Sequence, residues 1–197
     1  MLPSEQLDAF QLIRLFNSVF GVSDKTELIG GAAEPYYVPG TPHRIYFRAD
    51  YVRSALHEIA HWCVAGERRR RLPDYGYWYS PDGRDVIQQH AFFTVEARPQ
   101  AIERCFCEAI GVSFSPSIDN VDVEIKPQQL RHFEARLDDW FSRFQSTGLP
   151  SRAARFVSAL RAIDQAAQVP VVSNAPRVLA SLSMAKLSVR RSRALVH

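Results

Sequence analysis

Apolar residues near the start of the chain recur at three- and four-residue steps. Leu7, Phe10, Ile13, Phe16 and Phe20 predict a first helix that Ser4 can cap and Gly21 stops. Gly30, Gly31, Pro35, Pro39, Gly40 and Pro42 then interrupt too often for a helix. Short strands fit that stretch, over 36–38 and over 44–48, where Ile45 and Phe47 alternate with Arg44, Tyr46 and Arg48. A largely uncharged helix follows over 51–65, with Asp50 as its cap and Gly66 as its end. An aromatic-rich strand meeting a Pro-Asp-Gly turn is expected over 74–85. Helical patterns over 86–97 and 100–110 are expected to meet at Pro99, which ends the first or opens the second. Residues 112–116 and 121–125 read as irregular or short-strand pieces. Two more amphipathic helices are expected, over 127–145 through Leu130, Phe133, Leu137, Trp140, Phe141 and Phe144, and over 151–167 through Phe156, Val157, Leu160 and Ile163. The fold class expected is α+β, a mainly helical single domain with a small mixed β-sheet.

The helix over 51–65 contains His57-Glu58-Ile59-Ala60-His61-Trp62. Histidines four apart project from one face of a helix, so both rings can reach one divalent ion at about 2.1 Å. The alternative is a pair of core histidines bonded to backbone carbonyls. Glu96 offers a third, anionic ligand from the second helical stretch. Glu67, Asp74, Asp82, Asp85 and Glu103 compete for that role, and a carboxylate at 96 is otherwise a solvated face. Three protein ligands leave positions open for water, dioxygen or substrate. Two chemistries share this set. A zinc peptidase of the gluzincin kind would use Glu58 as general base on metal-bound water. A non-haem iron(II) oxygenase would use the two histidines and the carboxylate as a facial triad, with Glu58 beside it.

Composition narrows the picture. A chain of 197 residues, 46% hydrophobic and 23% charged, suits one globular domain. No apolar run is long enough to cross a bilayer, and the start lacks an export signal, so a cytoplasmic protein is expected. Cys63, Cys105 and Cys107 read as free thiols of a reducing compartment. From Val171 onward the chain carries Arg177, Lys186, Arg190, Arg191 and Arg193 and no acid, so removing those five charges from the net +3 leaves −2 for the body. We therefore expect a domain over 1–170 and a basic extension over 171–197. The run Arg68-Arg69-Arg70-Arg71 reads either as a polyanion site or as an exposed helix exit, where cations suit the C-terminal dipole. Together with the extension it leaves an RNA- or ribosome-associated module as a third reading.

The chain resembles the bacterial elongation factor P hydroxylase family. The stretches that carry the resemblance are Phe16-Asn17-Ser18, Glu34-Pro35-Tyr36-Tyr37-Val38-Pro39 and His57 through Gly66. Further on come Gly76-Tyr77-Trp78-Tyr79-Ser80-Pro81-Asp82-Gly83-Arg84-Asp85, Val95 through Ala101 and Pro150 through Phe156. Such a resemblance implies a peptidase-like, gluzincin-like scaffold turned to oxidation. It implies oxygen-dependent hydroxylation of the β-lysylated lysine of translation elongation factor P, with no membrane and no direct nucleic acid required. By position, His57, His61 and Glu96 match the family's metal-binding residues, while the role of Glu58 stays open. Hydroxylating an unactivated carbon needs a redox-active ion, and zinc has no redox chemistry, so Fe(II) with dioxygen as co-substrate is expected. The substrate arm presents two amines, cationic at neutral pH. Tyr77, Trp78 and Tyr79 could face it with aromatic rings, Asp82 and Asp85 could pair with its charges, and Arg84 is a generic carboxylate binder.

Overall fold

The computed structural model of the protein describes residues 7–77, 86–118 and 125–168. Ser4 and the basic extension from 171 lie outside the described residues. The first helix, α1 (Ala9–Phe20), begins at Asp8, whose carboxylate accepts from the Gln11 N–H at 2.7 Å while the Gln11 side chain accepts from the Asp8 N–H. This reciprocal box satisfies two helix-end donors. The inward face is Ala9, Leu12, Phe16 and Phe20, whereas Phe10 is 66% exposed. The buried stripe is rotated by about one residue, ~100°, at the start of the helix, because Ala9 and Leu12 hold the place that the pattern assigns to Phe10.

Three strands follow: β1 (Thr26–Ala32), β2 (Tyr36–Val38) and β3 (His43–Arg48). Their order is β1-β3-β2, with β1 parallel and β2 antiparallel to β3, which is the mixed sheet expected. Ile45 and Phe47 are fully buried, as their alternation predicts. Strand β1, which contains Gly30 and Gly31, is not among the strands that the sequence pattern predicts. A Cβ at Gly30 would lie 2.8 Å from Phe47 Cζ, and Gly31 has φ +84°. The pair lets β1 close against β3 through an irregularity between Ile29 and Ala32.

Helix α2 (Val52–Val64) carries the histidine motif. Tyr51, not Asp50, stands at its cap position and makes no side-chain cap bond. Its exit forms two short 3-10 turns, Arg69–Arg71 and Pro73–Gly76; the second covers the start of the aromatic strand and turn expected over 74–85, of which 78–85 lie outside the described residues. Tyr75 is buried there and stacks on Tyr37 of β2 at 4.2 Å, and the Tyr37 hydroxyl donates to the Arg70 carbonyl at 2.8 Å. Three of the four arginines are engaged locally. Arg70 donates to the Ala65 carbonyl, Arg71 pairs with Glu67, and Arg69 lies over the Tyr77 ring at 4.2 Å. The run is a helix exit in this structure.

Helix α3 (Val86–Ala109) runs unbroken for 24 residues with Pro99 inside it. This corrects the expected division at Pro99. An interior proline costs about 3 kcal/mol. Ala97, Ala101, Ile102, Cys105 and Phe106 bury one side of α3 across that point, with Phe93 before it stacked on Phe133 at 4.5 Å. That packing outweighs the proline. Residues 112–116 are irregular, as expected, whereas 121–124 of the second piece expected lie outside the described residues; α4 (Pro127–Thr147) and α5 (Ser151–Gln168) end the described fold close to their predicted limits. No helix among the described residues is long and apolar enough to cross a membrane. The three cysteines are buried and unpaired.

The core fixes α2 from behind. Trp62 meets Phe16 and Phe20 of α1 edge-on, at 5.3 and 4.8 Å between centroids, and Phe156 of α5 meets Phe106 of α3 at 5.1 Å. Arg152 of α5 caps the far end. Its Nη2 donates to the carbonyls of Trp62, Cys63 and Ala65 at 2.9, 3.2 and 2.6 Å, and its guanidinium lies 4.6 Å from the Trp62 ring centroid. Positive charge also suits a helix C-terminus. Arg152→Ala is expected to destabilise the fold by about 2 kcal/mol, the scale of charge-assisted hydrogen bonds to orphan carbonyls. Urea unfolding measures this, and an unchanged midpoint would contradict it.

Candidate metal centre

Residues 57 and 61 lie one helical turn apart on α2, so their rings emerge together toward α3. The His57 and His61 Nε2 atoms stand 3.1 Å apart. Glu96 Oε2 of α3 lies 3.6 Å from the first and 3.3 Å from the second. Glu96 is 2% exposed. These are the described residues whose ligand atoms cluster within reach of one ion.

The fit to a metal ion can be judged from the donor set itself. Two donors on one ion at about 2.1 Å lie ~3.0 Å apart at a right angle and ~3.4 Å apart at the tetrahedral angle. The separations of 3.1 and 3.3 Å fall inside that range, and the 3.6 Å from His57 to Glu96 lies just beyond it. Each atom carries a lone pair when the rings are neutral. Three acceptors aimed at one point need protons or a cation between them.

The other nitrogen of His57 explains why its Nε2 faces inward. His57 Nδ1 lies 2.9 Å from Glu103 Oε2, and Glu103 Oε1 accepts from Arg53 Nε and Nη2 at 2.9 and 2.7 Å. Arg53 in turn donates to the Ser115 carbonyl at 2.8 Å. With its Nδ1–H given to a carboxylate, His57 presents the Nε2 lone pair to the cluster. Glu103 was one of the sequence's competitors for third ligand, and the structure puts it behind His57 rather than beside Glu96. Nothing in the sequence marked Arg53. Its position on the turn before His57, with a glutamate seven residues after Glu96, is the pattern that would have found it.

Glu96, Gln100 and Glu103 form one buried row along α3 at steps of four and three. Gln100 holds the row's middle. Its Nε2 donates to the Ser117 carbonyl at 2.8 Å and more distantly to Glu96 Oε2 at 3.4 Å, while its Oε1 accepts from the Ser117 N–H at 3.0 Å. Burial alone would lower the His57 pKa. The Glu103 hydrogen bond and the charges of Glu103, Glu96 and Glu58 reverse this and hold it at about 10. Burial alone would raise Glu96, but His61, His57 and the Gln100 hydrogen bond bring it down to about 2. Burial raises the Glu58 pKa, and the two histidines only partly offset it. Glu58 makes no hydrogen bond to either histidine among the described residues.

A cleft of about 590 Å³ opens at His61, lined also by Val64, Arg69, Tyr77, Arg98 and Pro99. Tyr77 lines the same cleft as His61, and the Arg69 guanidinium lies against its ring. Trp78, Tyr79, Asp82, Arg84 and Asp85 fall outside the described residues.

Two outcomes follow for the full chain. Glu103→Gln is expected to weaken uptake of a divalent ion roughly 10- to 100-fold, the range for partners that orient a ligating histidine. Chelator competition measures this, and unchanged affinity would contradict it. A raised His57 pKa stabilises the metal-free fold fully below about pH 6.5, and that contribution is lost as pH rises toward 10. Ion uptake must displace the same proton, so apparent affinity is expected to rise between pH 6 and 9. A flat profile over that window would contradict the geometry.

Residues 15–173 match the family described as elongation factor P hydroxylase. That match spans α2 and α3 with every residue of the cluster. A protein from Haemophilus influenzae named elongation factor P lysine hydroxylase is 39% identical over 153 residues, covering 76% of this chain and 85% of the relative. The chain belongs to the elongation factor P hydroxylase family.

Proposed function

We propose that this chain hydroxylates the β-lysylated lysine side chain of translation elongation factor P, with dioxygen as co-substrate and a divalent ion, Fe(II), held by His57, His61 and Glu96. The observation that carries the reading is the convergence of two imidazole nitrogens and one carboxylate oxygen at 3.1–3.6 Å in a member of this family. When bound there, a redox-active ion supplies the electron transfer to dioxygen that insertion into a carbon–hydrogen bond requires.

The chain's own residues do the rest. Glu103 fixes the tautomer and plane of His57, and Arg53 fixes Glu103. Glu96, buried and ionised, neutralises part of the ion's charge. Glu58, whose burial favours its protonated form, holds a proton beside the two histidines for transfer at the site. The cleft at His61 admits the lysyl arm along Tyr77. Trp78, Tyr79, Asp82, Arg84 and Asp85 complete substrate binding in this reading, with Asp82 and Asp85 taking the amines. Residues 1–170 carry catalysis, and 171–197 form the basic extension. The scaffold is gluzincin-like in outline, with the histidine helix packed on a sheet and the third ligand on a later helix.

Incubation of the lysylated factor with the full chain, Fe(II), reductant and air is expected to add about 16 Da, one oxygen atom. His57→Ala, His61→Ala and Glu96→Ala are expected to abolish that gain while leaving the far-ultraviolet circular dichroism unchanged. Mass spectrometry of the factor reads the result. Proteolysis of casein with zinc, and no mass gain with iron, would instead establish the peptidase chemistry.

A further inference from the structure

Arg98 follows Glu96 by two residues on α3 and lines the cleft that His61 opens into. Its Nε is buried and has no hydrogen-bond partner among the described residues. Trp140 of α4 lies against the guanidinium, 5.1 Å from ring centroid to Cζ. Other partly buried arginines have oxygen partners. Arg53 has Glu103, Arg104 has Asp138 at 2.8 Å, and Arg155 has Asp24 at 2.9 Å. Arg152 Nε is also unpartnered, but Arg152 donates through Nη2 to three carbonyls. Arg98 is the exception among them: it lies over a ring, and no acceptor bonds to it among the described residues.

A guanidinium keeps its charge throughout the physiological range and bonds through its edge. The contact with Trp140 satisfies none of the guanidinium's N–H donors and leaves them to find a partner. A buried charged donor left without an acceptor is costly, so an acceptor supplied by a ligand is favoured there. The rest of the cleft does not supply one. Arg68 and Arg69 line it as well, and its one described carboxylate, Glu67, is engaged by Arg71. If the functional reading above holds, the lysyl arm is itself cationic and cannot serve. The complementary group is a planar anion, which the forked guanidinium grips through two parallel bonds.

We propose that Arg98 is a carboxylate-binding subsite beside the candidate metal centre. The carboxylate belongs either to a small organic acid bound in the cleft or to an aspartate or glutamate of the protein substrate. Trp140 holds the guanidinium in place, and the shared cleft sets the carboxylate next to the His61 side of the cluster.

Two arms test this on the full chain, both metal-loaded and after chelation. In the first, acetate, pyruvate, 2-oxoglutarate and inorganic phosphate are titrated at constant ionic strength and the melting temperature is read. In the second, kcat and KM are measured for the lysylated factor. Arg98→Gln and Arg98→Lys are compared with wild type, with Arg161→Gln, an exposed arginine on α5, as the charge-matched control. A saturable rise in melting temperature with a carboxylate in wild type, lost in Arg98→Gln and weakened in Arg98→Lys, supports a small-acid ligand. No shift with any small acid, but KM raised about tenfold or more in Arg98→Gln with kcat little changed, supports a carboxylate on the protein substrate. The first arm needs no hydroxylase activity, so it stands even if the functional reading fails. A wild-type shift with phosphate alone overturns the carboxylate assignment. No small-acid shift together with an unchanged KM overturns the subsite altogether. Should Arg98→Gln not fold, Arg98→Lys carries the same comparison, and absence of any wild-type response remains decisive.

Discussion

Three lone-pair atoms, two from α2 and one from α3, are pressed to within 3.6 Å of each other in a largely buried place. Such an arrangement is favourable only with positive charge at its centre, whether protons or a metal ion. Much of the surrounding structure can be understood as holding these atoms together against their repulsion. The aromatic contacts among Phe16, Phe20 and Trp62 pin the back of α2, and Arg152 ties down its last carbonyls. On the opposing side, Gln100 anchors α3 to the 112–118 segment, so the carboxylate row cannot roll away from the histidines.

Continuity of α3 through Pro99 is what makes this economical. A single helix places Glu96 and Glu103 seven residues apart on one face, where they bracket His57 from its two nitrogens. Glu96 meets the Nε2 side and Glu103 the Nδ1 side. One carboxylate is left to face an ion and the other to fix a ring, a division set by position on the helix rather than by residue type. A break at Pro99 would have placed Glu103 on a separate element, with no reason to share that face. Arg53, one turn before His57 on α2, closes the loop by neutralising Glu103.

Much of the architecture was readable from the chain because most elements bury one regular face. Ile45 and Phe47 gave β3 away by alternation, and Phe133, Leu137 and Phe144 did the same for α4. The errors have physical causes. Strand β1 is masked by Gly30 and Gly31, which are there because β3 approaches too closely for a side chain at Gly30. The start of α1 differs from the expected cap at Ser4 because Asp8 and Gln11 form a reciprocal cap that single-residue preferences do not show. Pro99 looks like a boundary to any local rule, and only packing along both halves of α3 overrides it. The candidate cluster was visible because His57 and His61 are fixed by helical spacing. Glu96 is a long-range partner that spacing could nominate but not select among acids. Arg53–Glu103 is equally long-range and carries no motif at all.

Anomalous diffraction from a crystal grown with Fe(II) under reducing conditions would locate the ion directly. One iron per chain is expected, bonded at about 2.1 Å to His57 Nε2, His61 Nε2 and a Glu96 oxygen, with Glu103 still on His57 Nδ1. Iron held elsewhere, or Glu96 turned away from an imidazole pair bonded to main-chain carbonyls, would contradict it.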